Sequence, residues 1–100
     1  SKLNQLNKAV LDYTKSIELK PKADSYTNRA FTYLKFKNIE LAKQDLKTAQ
    51  QLDPNYGRAY FLEGILEQNL GNKTGACAAF LKAADLGEKN AKEAYSQTCL

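Results

Sequence analysis

Ala42-Lys43-Gln44-Asp45-Leu46 has two echoes in the chain: Ala9-Val10-Leu11-Asp12-Tyr13 before it and Ala76-Cys77-Ala78-Ala79-Phe80 after it, at spacings of 33 and 34 residues. Other positions keep step with it. Leu19, Leu52 and Leu86 recur at 33 and 34, Pro21 and Pro54 at 33, and Tyr26 and Tyr60 at 34. Several independent residues sharing one period identify a repeat array. A unit of this length cannot enclose its own apolar face, and it becomes stable by stacking on its neighbours.

Turn signals divide the chain into helices. Pro21 and Pro54 close the first and third, Asn38 and Gly71-Asn72 mark turns within repeats, and Gly87 follows the fifth as a C′ residue. The spacing predicts about six helices, over 3–19, 22–36, 39–52, 55–70, 73–86 and 89–99. Nothing reads as strand, because no stretch alternates apolar with polar beyond a few positions. The expected fold is all-α, with antiparallel helix-turn-helix repeats stacked as a solenoid. Small residues are required where two helices cross closely, so Ala30 or Gly64 is expected to face Ala42 or Ala76. Tyr26, Tyr33, Leu46, Tyr60 and Phe80 are then read as core filling beside those contacts.

The pattern resembles the tetratricopeptide repeat, whose signature is Trp-x2-Leu-Gly-x2-Tyr, then Ala-x3-Phe, then Pro. The middle repeat reads Tyr26-x2-Arg29-Ala30-x2-Tyr33, Ala42-x3-Leu46, Ala49 and Pro54. The next reads Tyr60-x2-Glu63-Gly64-x2-Glu67, Ala76-x3-Phe80 and Ala83, with Glu88 where the closing proline falls. Ahead of them, Ala9, Tyr13, Ser16 and Pro21 match the second half of a unit. The resemblance implies right-handed superhelical stacking and a single domain over 1–100: a partial repeat 1–21, repeats 22–54 and 55–88, and a capping helix 89–100. In that helix Ala91, Tyr95 and Cys99 form a narrow apolar stripe beside a polar face. At the other end Leu3, Leu6, Val10, Tyr13 and Ile17 have no first helix to cover them, so self-association through this uncovered N-terminal helix is one expectation.

Charge and composition exclude several classes. The net charge is +4, but among 15 cations only Arg29 and Arg58 are arginines, and the lysines are scattered as on solvated helix faces. No cluster resembles a nucleic-acid motif. No apolar run approaches the ~18 residues of a membrane span, the longest being Ala76 to Leu81. The chain has no histidine, no Gly-rich phosphate loop and no nucleophile elbow, so neither an enzyme nor a cofactor is expected. Glu63 and Glu67, one helical turn apart, read as solvated or lysine-paired. Two cysteines without histidine supply half a zinc site, and no metal is expected.

Cys77 and Cys99 lie at equal distances from position 88. An antiparallel hairpin turning there brings them to one height, within disulfide reach. Such a bond contributes about 3 kcal/mol by restricting the unfolded chain. The alternative is two free, buried thiols, as is usual in a cytosolic protein. The segment also resembles the end of tetratricopeptide arrays in some exported bacterial proteins, where such cysteines pair. Exported or periplasmic localisation is thereby favoured over cytoplasmic.

In tetratricopeptide proteins the first helix of each repeat lines a concave groove that holds a peptide. By resemblance, that groove presents Asp24, Thr27, Asn28, Phe31, Leu34 and Lys35, with Arg58, Phe61, Leu62, Ile65, Gln68 and Asn69. Some members clamp a partner's C-terminal carboxylate. Asn28 and Arg58 match that clamp, whereas Leu62 replaces its second basic residue. The leading expectation is a non-catalytic protein-interaction scaffold that binds a peptide segment of a partner. The alternative is a structural assembly domain of a larger protein.

Overall fold

The computed structural model describes residues 1–100. Six helices follow one another: α1 (Lys2–Leu19), α2 (Ala23–Lys35), α3 (Ile39–Leu52), α4 (Gly57–Asn69), α5 (Lys73–Asp85) and α6 (Ala91–Cys99). There is no strand. Helix α2 packs on α3 and α4 on α5, while α1 lies on α2, α3 on α4, and α5 on α6. Helices α2 and α4 also touch. The result is the expected stack of helix-turn-helix repeats forming an α-solenoid.

The prolines act through the residue ahead of them. Lys20 and Asp53 are extended (φ −156° and −144°), as the steric bulk of a following proline favours, so α1 and α3 stop there. Past Pro54 the chain makes one more turn, because the Asp53 carboxylate accepts from the Asn55 amide and the Asp53 carbonyl from the Tyr56 amide. Helix α4 therefore starts two residues later than the spacing suggests. Helix α6 is likewise delayed to Ala91 by Asn90, which has φ 72°.

Three helices end in the same left-handed cap. After α4 and α5 the cap residue is glycine: Gly71 (φ 76°) and Gly87 (φ 83°). The amide of the residue after each reaches back to Glu67 and Ala83 carbonyls respectively, at 2.8 and 3.0 Å. After α2 the equivalent bond runs from the Asn38 amide to the Tyr33 carbonyl at 2.8 Å around Lys37 (φ 63°), a residue type that pays a steric penalty there. The turn that the sequence marks by Asn38 is thus made by its neighbour.

Small residues set the helix separation. Ala30, Ala42, Ala49, Ala59, Ala76 and Ala83 are completely buried. The ring of Phe80 lies against Gly64, and a methyl group there would overlap it. Leu46 and Phe80 fill the interior at 2% and 1% exposure. Tyr26, Tyr33 and Tyr60 are only half-buried, because their rings edge the core beside charged groups. In α1 no side chain is fully buried; Ala9 and Tyr13 are partly exposed, unlike their equivalents in α3 and α5.

One ion pair crosses the stack. Arg29 Nε and Nη2 donate to the two oxygens of Asp45 at 2.7 and 2.8 Å, and Nη1 donates to Thr14 Oγ1 at 3.1 Å. Three helices are joined by one guanidinium, whose pKa is raised chiefly by the hydrogen bond to Asp45. Arg29 is therefore spent inside the fold.

Replacing Gly64 with alanine is expected to destabilise the domain by about 1–3 kcal/mol in urea unfolding, since the Phe80 ring must shift to admit the methyl group. Lys37→Gly is expected to raise stability by about 0.5–1 kcal/mol: the relief of left-handed strain exceeds the entropy that glycine adds to the unfolded chain. Chemical denaturation of the two variants against the parent measures both.

Candidate functional site

Helices α2 and α4 lie side by side, so residues thirty positions apart become neighbours across them. Arg58, in the first turn of α4, donates from Nη1 to Asn28 Oδ1 at 2.6 Å. Its guanidinium also sits over the Phe31 ring, 5.8 Å from the centroid, while Lys35 Nζ lies 5.9 Å from that centroid. Phe31 keeps 43% of its surface exposed. An open aromatic ring bordered by two cations suits a ligand that carries both an apolar and an anionic group.

Phe61 and Ile65 continue the apolar strip along α4, both half-buried against the core. The Phe61 ring is 5.7 Å from that of Phe80 and tilted to it, so part of this strip anchors the fold while its outer edge stays open. Gln68 and Asn69 are exposed at the far end. Gln68 Nε2 donates to Thr98 Oγ1 on α6 at 2.6 Å. Asn69 borders a small cleft with Leu34, Lys37 and Ile39.

Other expected groove residues lie inside. Leu34 is 8% exposed and belongs to the hydrophobic core, since α3 and α4 close over it. Leu62 is 3% exposed in the same cluster, and Thr27 is fully buried with its hydroxyl donated to the Ala23 carbonyl. The reason is geometric: each helix turns one stripe toward its neighbours, and these three residues fall on that stripe. Thr98 is the site neighbour that the sequence reading missed. Its signal was the 34-residue step from Ala23 to Gly57 to Ala91, which starts α6 in register with α2 and α4.

Two further clefts flank α4: one toward α3, with Lys43, Lys47, Glu63 and Glu67, and one toward α5, with Tyr60, Glu63, Glu67 and Lys82. Of the two readings, solvated or lysine-paired, no lysine ion pair forms at either glutamate. Both are half-buried, and each accepts from an amide: Glu63 from Gln50 at 2.9 Å, and Glu67 from Asn72. Burial, with the nearby charges of Glu63 and Asp53, raises the Tyr60 pKa above its ordinary 10.0. Lys82 lies over the Tyr60 ring at 5.7 Å. The cysteines are joined: Cys77 and Cys99 form a disulfide with Cα atoms 5.9 Å apart. No helix is long and apolar enough to cross a membrane.

The Tetratricopeptide repeat family model matches residues 1–22 and 23–56. Human DnaJ homolog subfamily C member 7 is 37% identical over 87 residues, covering 86% of this chain and 18% of that protein. Small glutamine-rich tetratricopeptide repeat-containing protein 2 of Saccharomyces cerevisiae is 33% identical over 90 residues, covering 89% of the chain and 26% of that protein. The chain thus spans about a quarter or less of the length of these relatives. Among solved structures, the Arabidopsis OM64 TPR domain superposes with a TM-score of 0.85 at 34% identity, covering 98% of this chain and 84% of that one. The second TPR domain of human RPAP3, solved in complex with the HSP70 peptide SGPTIEEVD, superposes with a TM-score of 0.81 at 30% identity, covering 97% and 83%.

Because the folded state holds the Tyr60 phenol protonated beyond its ordinary range, this group's stabilisation is complete below pH ~10 and is lost as pH rises through the folded-state pKa. Ultraviolet titration of tyrosinate is expected to lose a component above pH 10 in Tyr60→Phe. An unchanged alkaline profile would contradict the shift.

Proposed function

This chain belongs to the tetratricopeptide repeat family, and we propose that it binds an extended peptide of a partner protein in the groove of α2 and α4, with an acidic or C-terminal carboxylate group seated at Arg58 and Asn28. Proteins of this family are typically non-catalytic interaction modules. The observation that carries the reading is the Arg58–Asn28 hydrogen bond beside an exposed Phe31. The bond fixes the guanidinium while leaving donors free, and orienting a donor in advance lowers the entropy lost on binding. The RPAP3 domain, similar in fold and 30% identical, binds a peptide that ends in Glu-Glu-Val-Asp. Such a sequence supplies carboxylates for Arg58 and Lys35 and an apolar side chain for Phe31 or Phe61.

The groove is less basic than a full carboxylate clamp, because Leu62 replaces a cation and is turned into the core. Binding here leans correspondingly on the apolar strip. A disulfide-stitched domain suits an oxidising compartment, which supports an exported protein. A second reading rests on α1, where Leu3 and Leu11 are 63% and 53% exposed: self-association through that helix.

Calorimetric titration with the peptide SGPTIEEVD is expected to give saturable binding. Arg58→Glu should weaken it at least about 10-fold and Phe61→Ala about 3- to 10-fold, with helix content by circular dichroism unchanged. Equal affinity for the parent and Arg58→Glu, or no binding by the parent at millimolar peptide, overturns this site. Sedimentation of the same samples separates the second reading, which requires a species heavier than 11.2 kDa that Leu11→Lys dissociates.

A further inference from the structure

Helix α6 packs on α5 and meets α4 through one side-chain hydrogen bond, between Gln68 and Thr98. Helices α2, α4 and α6 start 34 residues apart, at Ala23, Gly57 and Ala91, and one side-chain hydrogen bond spans thirty residues at each junction: Asn28 with Arg58, and Gln68 with Thr98. The last helix therefore covers α5 and brings Thr98 to the far end of the groove, at Gln68. Its support comes from α5. Helix α6 has nine residues, Ala91 is its only fully buried side chain, and no side chain caps its start at Asn90. A helix this short does not persist in water without tertiary support. Its C-terminal end is fastened by the Cys77–Cys99 bond, and Thr98, the partner of Gln68, immediately precedes Cys99.

We propose that the Cys77–Cys99 disulfide is a redox latch on the groove: while it is closed, α6 holds Thr98 against Gln68, and opening it by a dithiol reductant releases the C-terminal half of α6 and loosens the groove's far end. Both cysteine residues are partly exposed, and the attacking group is a reductant thiolate. It forms a mixed disulfide with one cysteine and expels the other as a thiolate. The reductant's second thiolate then displaces the first cysteine. Two electrons pass to the protein, two protons complete the Cys77 and Cys99 thiols, and the reductant leaves as its cyclic disulfide. The consequence for affinity rests on the groove proposed above, whereas the movement of α6 does not.

Amide hydrogen exchange and the Gln68 side-chain amide resonance, recorded with and without a dithiol, test the latch directly. Exchange over residues 94–99 is expected to quicken at least 10-fold on reduction, with α2 and α3 unchanged and the Gln68 resonance displaced. Cys77→Ser/Cys99→Ser should reproduce the reduced state without reductant. Affinity for SGPTIEEVD should fall about 3-fold in both, and Gln68→Ala should show the same loss while oxidised. Identical exchange and Gln68 resonance in the two redox states overturn the latch. So does faster exchange throughout α2 and α3, which would make the bond a general staple, and so does a freed α6 with Gln68 unmoved. Should the oxidised protein bind no peptide, the groove reading fails on its own while exchange and resonance still decide the latch.

Discussion

The close approach of each helix pair, possible only where side chains are minimal, is the constraint on which the rest depends. Glycine occupies two positions on one face of α4, seven residues apart. At Gly64 an added methyl group would overlap Phe80, and at Gly57 it would lie 3.2 Å from Glu88 Cβ and 3.3 Å from Leu86 Cβ. The alternating helices are thereby set at a fixed separation, and a pair such as Asn28 and Arg58 comes within hydrogen-bond distance. Widening one pair by the width of a methyl would be felt between α2 and α4, because tightly packed interiors transmit displacement instead of absorbing it.

Polar groups add direction to that packing. Arg29 and Asp45 are largely removed from water, with side chains 19% and 7% exposed, so their attraction is offset by desolvation and the pair is weak evidence of net stability. What it contributes is register. A bidentate pair has one good geometry, and with Thr14 as a third partner it aligns α1, α2 and α3 at a single height. It also divides the labour of the two arginines. Arg29 is committed to the interior between Tyr26 and Tyr33, which leaves Arg58 as the arginine available to a ligand.

Period and turn residues made the architecture legible. Ala42 and Ala76 are buried as their spacing required, and α1, α3 and α5 end within a residue of where the sequence placed them. Details that depend on side-chain competition were not legible. The left-handed position after α2 is occupied by Lys37, where local preference favours glycine or asparagine, so the eye falls on Asn38. Leu34, Leu62 and Thr27 were assigned to the groove by alignment with a family, but solvent exposure in a solenoid depends on the rotation of each helix about its axis. A rotation of one residue, ~100°, carries a side chain from groove to core. The spacing of Cys77 and Cys99 leaves bonded and free thiols both open, because equal distance from a turn fixes height but not facing.

That sensitivity to rotation also bears on what the groove selects. Its surface is uneven along its length: at the Asn28 end a fixed guanidinium and a nearby lysine meet an open ring, while at the Gln68 end amides and a hydroxyl stand near a cleft that Lys37 shares with Asn69. An extended peptide lying across α2, α4 and α6 would meet charge at one end and neutral hydrogen-bonding groups at the other. A ligand acidic at a single end can satisfy both, whereas one acidic throughout would place carboxylates against the neutral Gln68 and Thr98 side chains, which offset their desolvation less than a guanidinium does. In the proposed groove, this arrangement of side chains would discriminate by the polarity of the ligand more than by its total charge.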